Sequence, residues 1–116
     1  MVAFELAKLI ASQGLLTESL VYFTKAFDIL KEDPLTLSGE VNSIKTLSEI
    51  LMHRATAYEA LGLMEMCAKD MRLINQVDPN FRIRYYEECK SLEMEGFLQK
   101  SQKIKLFLAK LDRLGK

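Results

Sequence analysis

Apolar residues recur along this chain at spacings of three and four, and almost nowhere at a spacing of two. Val, Ile, Thr and Tyr never alternate with polar residues long enough to mark a strand, so the pattern predicts helices nearly throughout. The first spans about Val2 to Gln13, with Leu6, Leu9, Ile10 and Gln13 on one face. Gly14 ends it, as glycine does where a helix turns through positive φ. Thr17 is placed to cap the next helix, Glu18 to Lys31, because its hydroxyl can accept an amide proton left free in the first turn. Leu20, Phe23, Phe27 and Leu30 share one side of that helix, Ala26 lies between them, and Pro34 closes it. A looser connection follows, marked by the turn formers Pro34, Ser38, Gly39 and Asn42. Four more helices are expected over about Ser43–Leu61, Met64–Gln76, Arg82–Glu95 and Leu98–Leu114, divided by Gly62, Asp78-Pro79 and Gly96. The pattern therefore predicts an all-α domain of about six helices.

The order helix, glycine, helix, proline occurs twice, and its first half a third time. Gly62 and Gly96 are 34 residues apart. Gly14 and Gly62 are 48 apart, and a single insertion around residues 34–43 accounts for the surplus. A helix–turn–helix unit of this period resembles the tetratricopeptide repeat. The middle unit carries the resemblance best: Leu51, Ala55 and Tyr58 in the first helix, the turn glycine Gly62, Cys67 and Met71 in the second, and a closing Asp78-Pro79. The first unit matches through Leu6, Ala7, Ile10, Gly14, Ser19, Phe23 and Ala26, with the stretch SLVYFTKAF typical of the family's second helix. It departs at Ala3, where a bulky aromatic is common, and at the displaced Pro34. The third unit matches through Tyr85, Cys89, Leu92, Gly96 and Ser101, then loses the pattern at Lys105. The resemblance implies antiparallel hairpins stacked as a short right-handed α-solenoid. Repeat 1 covers about 1–34, an insertion 34–43, repeat 2 about 44–81, and a divergent repeat with a capping helix 82–116. Close helix crossings in such a unit need small side chains, here Ala55 and Cys67, with Leu51, Tyr58 and Met71 filling the space around them. Cys67 and Cys89 are expected in adjacent small-residue positions of consecutive helices, as buried packing thiols.

Of 116 residues, 49% are hydrophobic and 28% charged, the composition of a folded domain. Sixteen basic side chains balance sixteen acidic ones, which argues against nucleic-acid binding, since that needs a basic surplus. The two cysteines make no disulfide framework and no metal-ligand spacing, so a reducing compartment, cytoplasmic or nuclear, is expected. No run is long and apolar enough to span a membrane. From Phe97 onward there are six Lys/Arg and only Asp112 to oppose them. Leu98, Ile104, Phe107, Leu108, Leu111 and Leu114 form an apolar stripe on that last helix. A membrane-surface or calmodulin-type helix is one reading of it; a capping helix with one apolar and one wet face is the other, and the favoured one.

No nucleophile–base pair, phosphate loop or metal motif points to catalysis, and no cofactor or metal is expected. His53 is the only histidine and has no partner in the sequence, and Glu87-Glu88 and Glu93/Glu95 read as a solvated face. The resemblance implies that the first helix of each hairpin lines a concave groove for a partner peptide. Carried over residue by residue, that groove holds Phe4 and Lys8, then Glu49, Met52, His53 and Thr56, then Ile83, Tyr86, Glu87 and Lys90. One subtype grips the C-terminal carboxylate of heat-shock chaperones with Lys, Asn and Arg. Here Phe4 and Lys8 stand at the Lys and Asn positions, and Glu49 and His53 at Lys and Arg positions. A glutamate there repels a carboxylate, so an internal peptide segment or a partner helix fits better. The expectation is a non-catalytic adaptor or co-chaperone-like scaffold. The alternative is an assembly module that self-associates, or stacks within a larger repeat protein, through the open N-terminal edge of Met1, Val2, Phe4 and Leu9.

Overall fold

The computed structural model describes all 116 residues, Met1 to Lys116. It holds seven helices and no strand: α1 (Val2–Ser12), α2 (Leu16–Lys31), α3 (Pro34–Leu37), α4 (Val41–Ala60), α5 (Met64–Val77), α6 (Phe81–Met94) and α7 (Leu98–Leu114). The all-helical expectation holds, with one helix more than predicted.

That extra helix lies in the connection after α2. Pro34 does not close α2, which ends at Lys31; it opens the one-turn α3 instead. Proline suits the first position of a helix because its missing N–H is not needed there. Asp33 caps the turn, its Oδ1 accepting from the Leu35 amide at 2.9 Å. The Glu40 carboxylate then caps α4, accepting from the amides of Asn42 at 3.0 Å and Ser43 at 2.7 Å. Asn42, read as a turn former, is therefore already helical, and α4 starts two residues earlier than expected.

The three hairpins share one turn geometry. Gly14, Gly62 and Gly96 have φ of 82°, 76° and 87°, values that side-chain-bearing residues rarely adopt. In each turn the glycine amide donates to the carbonyl three residues back, at 2.9, 2.9 and 3.1 Å. The next amide, of Leu15, Leu63 or Phe97, reaches the carbonyl five residues back, at 3.3, 2.9 and 2.8 Å. These paired bonds satisfy carbonyls that the helix end leaves free. The same apolar residue then starts the following helix, with no side-chain cap. Thr17 therefore caps nothing: it lies inside α2, and Leu15 holds the cap position.

Seven residues before each glycine stands a buried small residue, Ala7, Ala55 or Cys89; five after it stands another, Ser19, Cys67 or Ser101. Both positions lie within the paired helices of a hairpin, and Cys89 Sγ donates to the Ser101 carbonyl at 3.6 Å. Cys67 and Cys89 thus lie in consecutive helices, but at different crossings: Cys89 meets Ser101, while Cys67 belongs to the cluster that holds Ala55.

Within the domain α1 packs on α2, α2 on α4, α4 on α5, and α6 on α7; α7 also reaches α5. The core forms two clusters. Phe4, Ala7, Phe23, Ala26 and Ile50 make the N-terminal one. Leu51, Ala55, Tyr58, Cys67, Met71, Ile74, Phe81, Tyr85, Leu108 and Leu111 make the central one. Helix α1 turns a different face inward than expected. Phe4 and Ala7 are buried, while Leu6 and Leu9 are exposed and Val2 is 84% exposed. The packing role expected of Leu6 therefore falls to Phe4, because α2 presents Phe23 and Ala26 to that side. Pro79, expected among the packing residues, also lies exposed, in the turn before α6.

Candidate interaction surface

The residues expected to line a groove divide into two groups. Phe4, Lys8 and His53 meet at the contact of α1 with α4. The His53 ring lies edge-on to Phe4, with centroids 5.5 Å apart, and stacks on Phe23 at 6.0 Å and 17°. Lys8 Nζ sits 4.4 Å from the Phe4 ring centre and 3.1 Å from Glu5. Phe4 is 4% exposed, so it is a core residue of this joint and not a groove contact. His53 is half-buried. Burial, and next the Lys8 charge, hold its pKa below the ordinary 6.5, and Glu5 opposes them weakly.

Ile83, Tyr86, Glu87 and Lys90 form the second group. With Arg82 they line a shallow depression of about 300 Å³ on the outward side of α6. Ile83 is 62% exposed and Tyr86 60%, although both are large and apolar enough to favour burial. Lys90 Nζ lies 5.9 Å from the Tyr86 ring centre. On α4, Thr56 is exposed and its hydroxyl donates back to the Met52 carbonyl at 2.9 Å. Met52 is half-buried against the central cluster. Glu49 is half-buried, and its charge bears on Arg84 and Tyr85 of α6.

Two buried polar networks join the helices beneath this surface. Arg54 of α4 donates to both carboxylate oxygens of Asp70 on α5, at 2.8 and 2.7 Å. Its guanidinium lies 4.7 Å from the Phe27 ring centre and 3.3 Å from the Thr24 hydroxyl, both on α2. Burial works against the Arg54 charge, but the bonds to Asp70 outweigh it and raise its pKa. The second network joins α4 to α6. Ser48 Oγ donates to Asp78 at 2.8 Å, and Arg84 Nη2 donates to Asp78 at 2.7 Å and to Ser48 at 3.3 Å. Periodicity missed Ser48, Arg54, Asp70 and Arg84, since each is polar on a helix read by its apolar face, whereas Asp78, just past the end of α5, was read as a turn residue. The signal was present in Arg54 and Asp70, which stand among apolar neighbours on the buried sides of α4 and α5.

Cys67 and Cys89 are free and buried. Burial, followed by the charges of Glu59 and Asp70, pushes the Cys67 thiol up, which suits packing rather than reaction. No three His, Cys, Asp or Glu side chains stand together as metal ligands. No helix is long and apolar enough to cross a membrane. The apolar stripe of α7 is already occupied: Leu108 and Leu111 are buried in the central cluster, with Ile104, Phe107 and Leu114 packed against it. Only Leu98 of that stripe stays outside. Its basic side chains are partly paired as well, Lys110 with Glu59 at 2.6 Å and Lys105 with Glu93. Most of the apolar stripe is thus spent on packing within the chain, while Phe97, Leu98 and Leu106 stay exposed.

The outward faces of α4 and α6 thus offer Met52, Ile83 and Tyr86 with charged side chains between them. Compared with known proteins, the chain matches no family model, no curated protein and no solved structure.

Proposed function

We propose that this chain is a non-catalytic protein-interaction module: a short right-handed array of tetratricopeptide-like hairpins that holds a peptide segment or helix of a partner against α4 and α6. One observation carries the reading. Ile83 and Tyr86 stand 62% and 60% exposed on α6, beside Lys90 and Glu87, with nothing of the chain laid over them. Aromatic and aliphatic anchors left bare among charges are what a partner segment buries. The thrice-repeated glycine turn and small-residue crossing support the repeat reading.

The test is recovery of binding partners from lysate on the immobilised chain, beside a Tyr86→Ala/Ile83→Ser variant. Both positions are exposed, so the variant keeps its fold. A partner retained by the wild type and lost by the variant supports the surface; a partner kept by both moves the site elsewhere.

A second reading has its own observation. Helix α1 buries Phe4 and Ala7 on one side and exposes Val2, Leu6 and Leu9 on the other. A helix apolar on both sides suits an inner position in a longer stack or in a self-associated one. Sedimentation across a concentration series tests it: a strict monomer at high concentration ends the self-association reading.

A further inference from the structure

We propose that the chain binds a second copy of itself head to tail, the outer face of α7 in one copy docking on the acidic turn around α3 in the next. This rests on the self-association reading, and it names for that reading a contact separate from the α1 edge.

The acidic patch is built by the connection between α2 and α4. Thr36 is buried, and its neighbours Leu35 and Leu37 are 57% and 70% exposed. Val41, which opens α4, is 75% exposed. The Glu40 amide donates to the Leu35 carbonyl at 2.9 Å, which folds these residues into one knob. Glu32, Asp33 and Glu40 flank it, and none of the three takes part in an ion pair. Backbone amides at the starts of α3 and α4 donate to Asp33 and Glu40, and hold Glu40 below the usual carboxylate range. Of the two lysines next to this stretch in the chain, Lys31 pairs with Asp28 at 3.2 Å, and only Lys45 is without a carboxylate.

The face of α7 matches this patch in both respects. Leu98, Leu106 and Arg113 are eight and seven residues apart, about two helical turns each, so they share one side of the helix. That side lies opposite the buried Leu108 and Leu111, and Leu98 is 65% exposed. Lys100, Lys103 and Arg113 are exposed and in no ion pair. The acids beside them are taken, Glu93 by Lys105 and Asp112 by Arg82, and only Glu95, in the turn before α7, has no cation. Within one copy the patches stand apart, since α3 packs on α2 and α4, and α7 on α5 and α6. Between copies, leucines meet leucines inside a rim of opposite charges, so the contact buries exposed apolar surface and pairs free ions together. Because the two patches differ, the contact is heterologous and can repeat along a row of copies.

Sedimentation velocity across a concentration series at low salt tests this. The wild type is compared with Lys100→Glu/Lys103→Glu, Glu32→Lys/Leu37→Lys and, for the α1 edge, Leu6→Ser/Leu9→Ser, each checked by circular dichroism. All six positions are exposed, and none holds a helix cap. The wild type is expected to associate, and about 0.5 M salt should weaken that association about fivefold or more. Each charge-reversed variant alone should stay monomeric, because like charges then face each other. An equimolar mixture of the two restores an intact pair of patches and should associate again. If both charge-reversed variants associate as the wild type does and Leu6→Ser/Leu9→Ser does not, the contact between α3 and α7 fails and the α1 edge stands. Association indifferent to salt, or a mixture that stays monomeric, also overturns the contact. A wild type that remains monomeric at the highest concentration ends both.

Discussion

The two core clusters are built differently. The N-terminal one holds five buried residues and is closed at its edge by a neutral histidine stacked on phenylalanine. The central one holds ten, drawn from four helices, and is bounded by two charged networks. Apolar packing tolerates small adjustments, whereas a buried ion pair demands its partner at a set place. The comparison teaches that α4 is held to α5 by geometry as well as burial, and α1 to α4 by rings and burial alone.

The sharpest way to break the comparison is to remove one member of the central pair. Asp70→Ala leaves the Arg54 guanidinium buried without its carboxylate, and unfolding in urea should show a loss of about 3–5 kcal/mol. Replacing Arg54 and Asp70 together by Met and Leu should cost far less than that single change, because no charge is then stranded. Next come the helix crossings. Ala55→Leu should cost about 1–3 kcal/mol by overpacking. Ala7→Leu belongs at the lower end of that range, since α1 borders solvent on its other side. Smaller still is the effect of acid on the N-terminal joint. The folded His53 pKa lies below the unfolded value, so the unfolded chain takes up the proton first as pH falls. The stability linked to His53 is therefore complete above about pH 6.5 and declines as pH drops from there through the folded pKa. Chemical denaturation at a series of pH values should show that slope in the wild type and a flatter one in His53→Gln. The smallest effect is expected at the cap. Glu59→Gln should cost at most about 1 kcal/mol, because its bond to Lys110 is partly exposed, and the loss should shrink in high salt.

How much was legible in advance differs along the chain. α7 was read to the residue, because an unbroken apolar period lies between two glycines. The turns at Gly14, Gly62 and Gly96 were legible for a related reason: left-handed backbone favours glycine, so the residue type marks the geometry. The connection after α2 was misread. Pro, Ser, Gly and Asn serve both coils and helix starts, and the cap on Asp33 decided for a helix. The α1 face was misread because that helix carries apolar residues on both sides, so periodicity could not say which side meets α2. Of the surface residues, Ile83, Tyr86, Glu87 and Lys90 share one face as their spacing of three and four required, while Phe4 was taken inside.

The sequence by itself determined the helices, their breaks and the small residues at the hairpin crossings. Those depend on local backbone preference and on side-chain volume, which each residue carries with it. Only the tertiary structure decided that Phe4 closes a core, that Arg54 finds Asp70 and that Ser48 finds Asp78. Those facts belong to pairs of residues far apart in the chain, and the free energy of a charge or a ring depends on what stands opposite it.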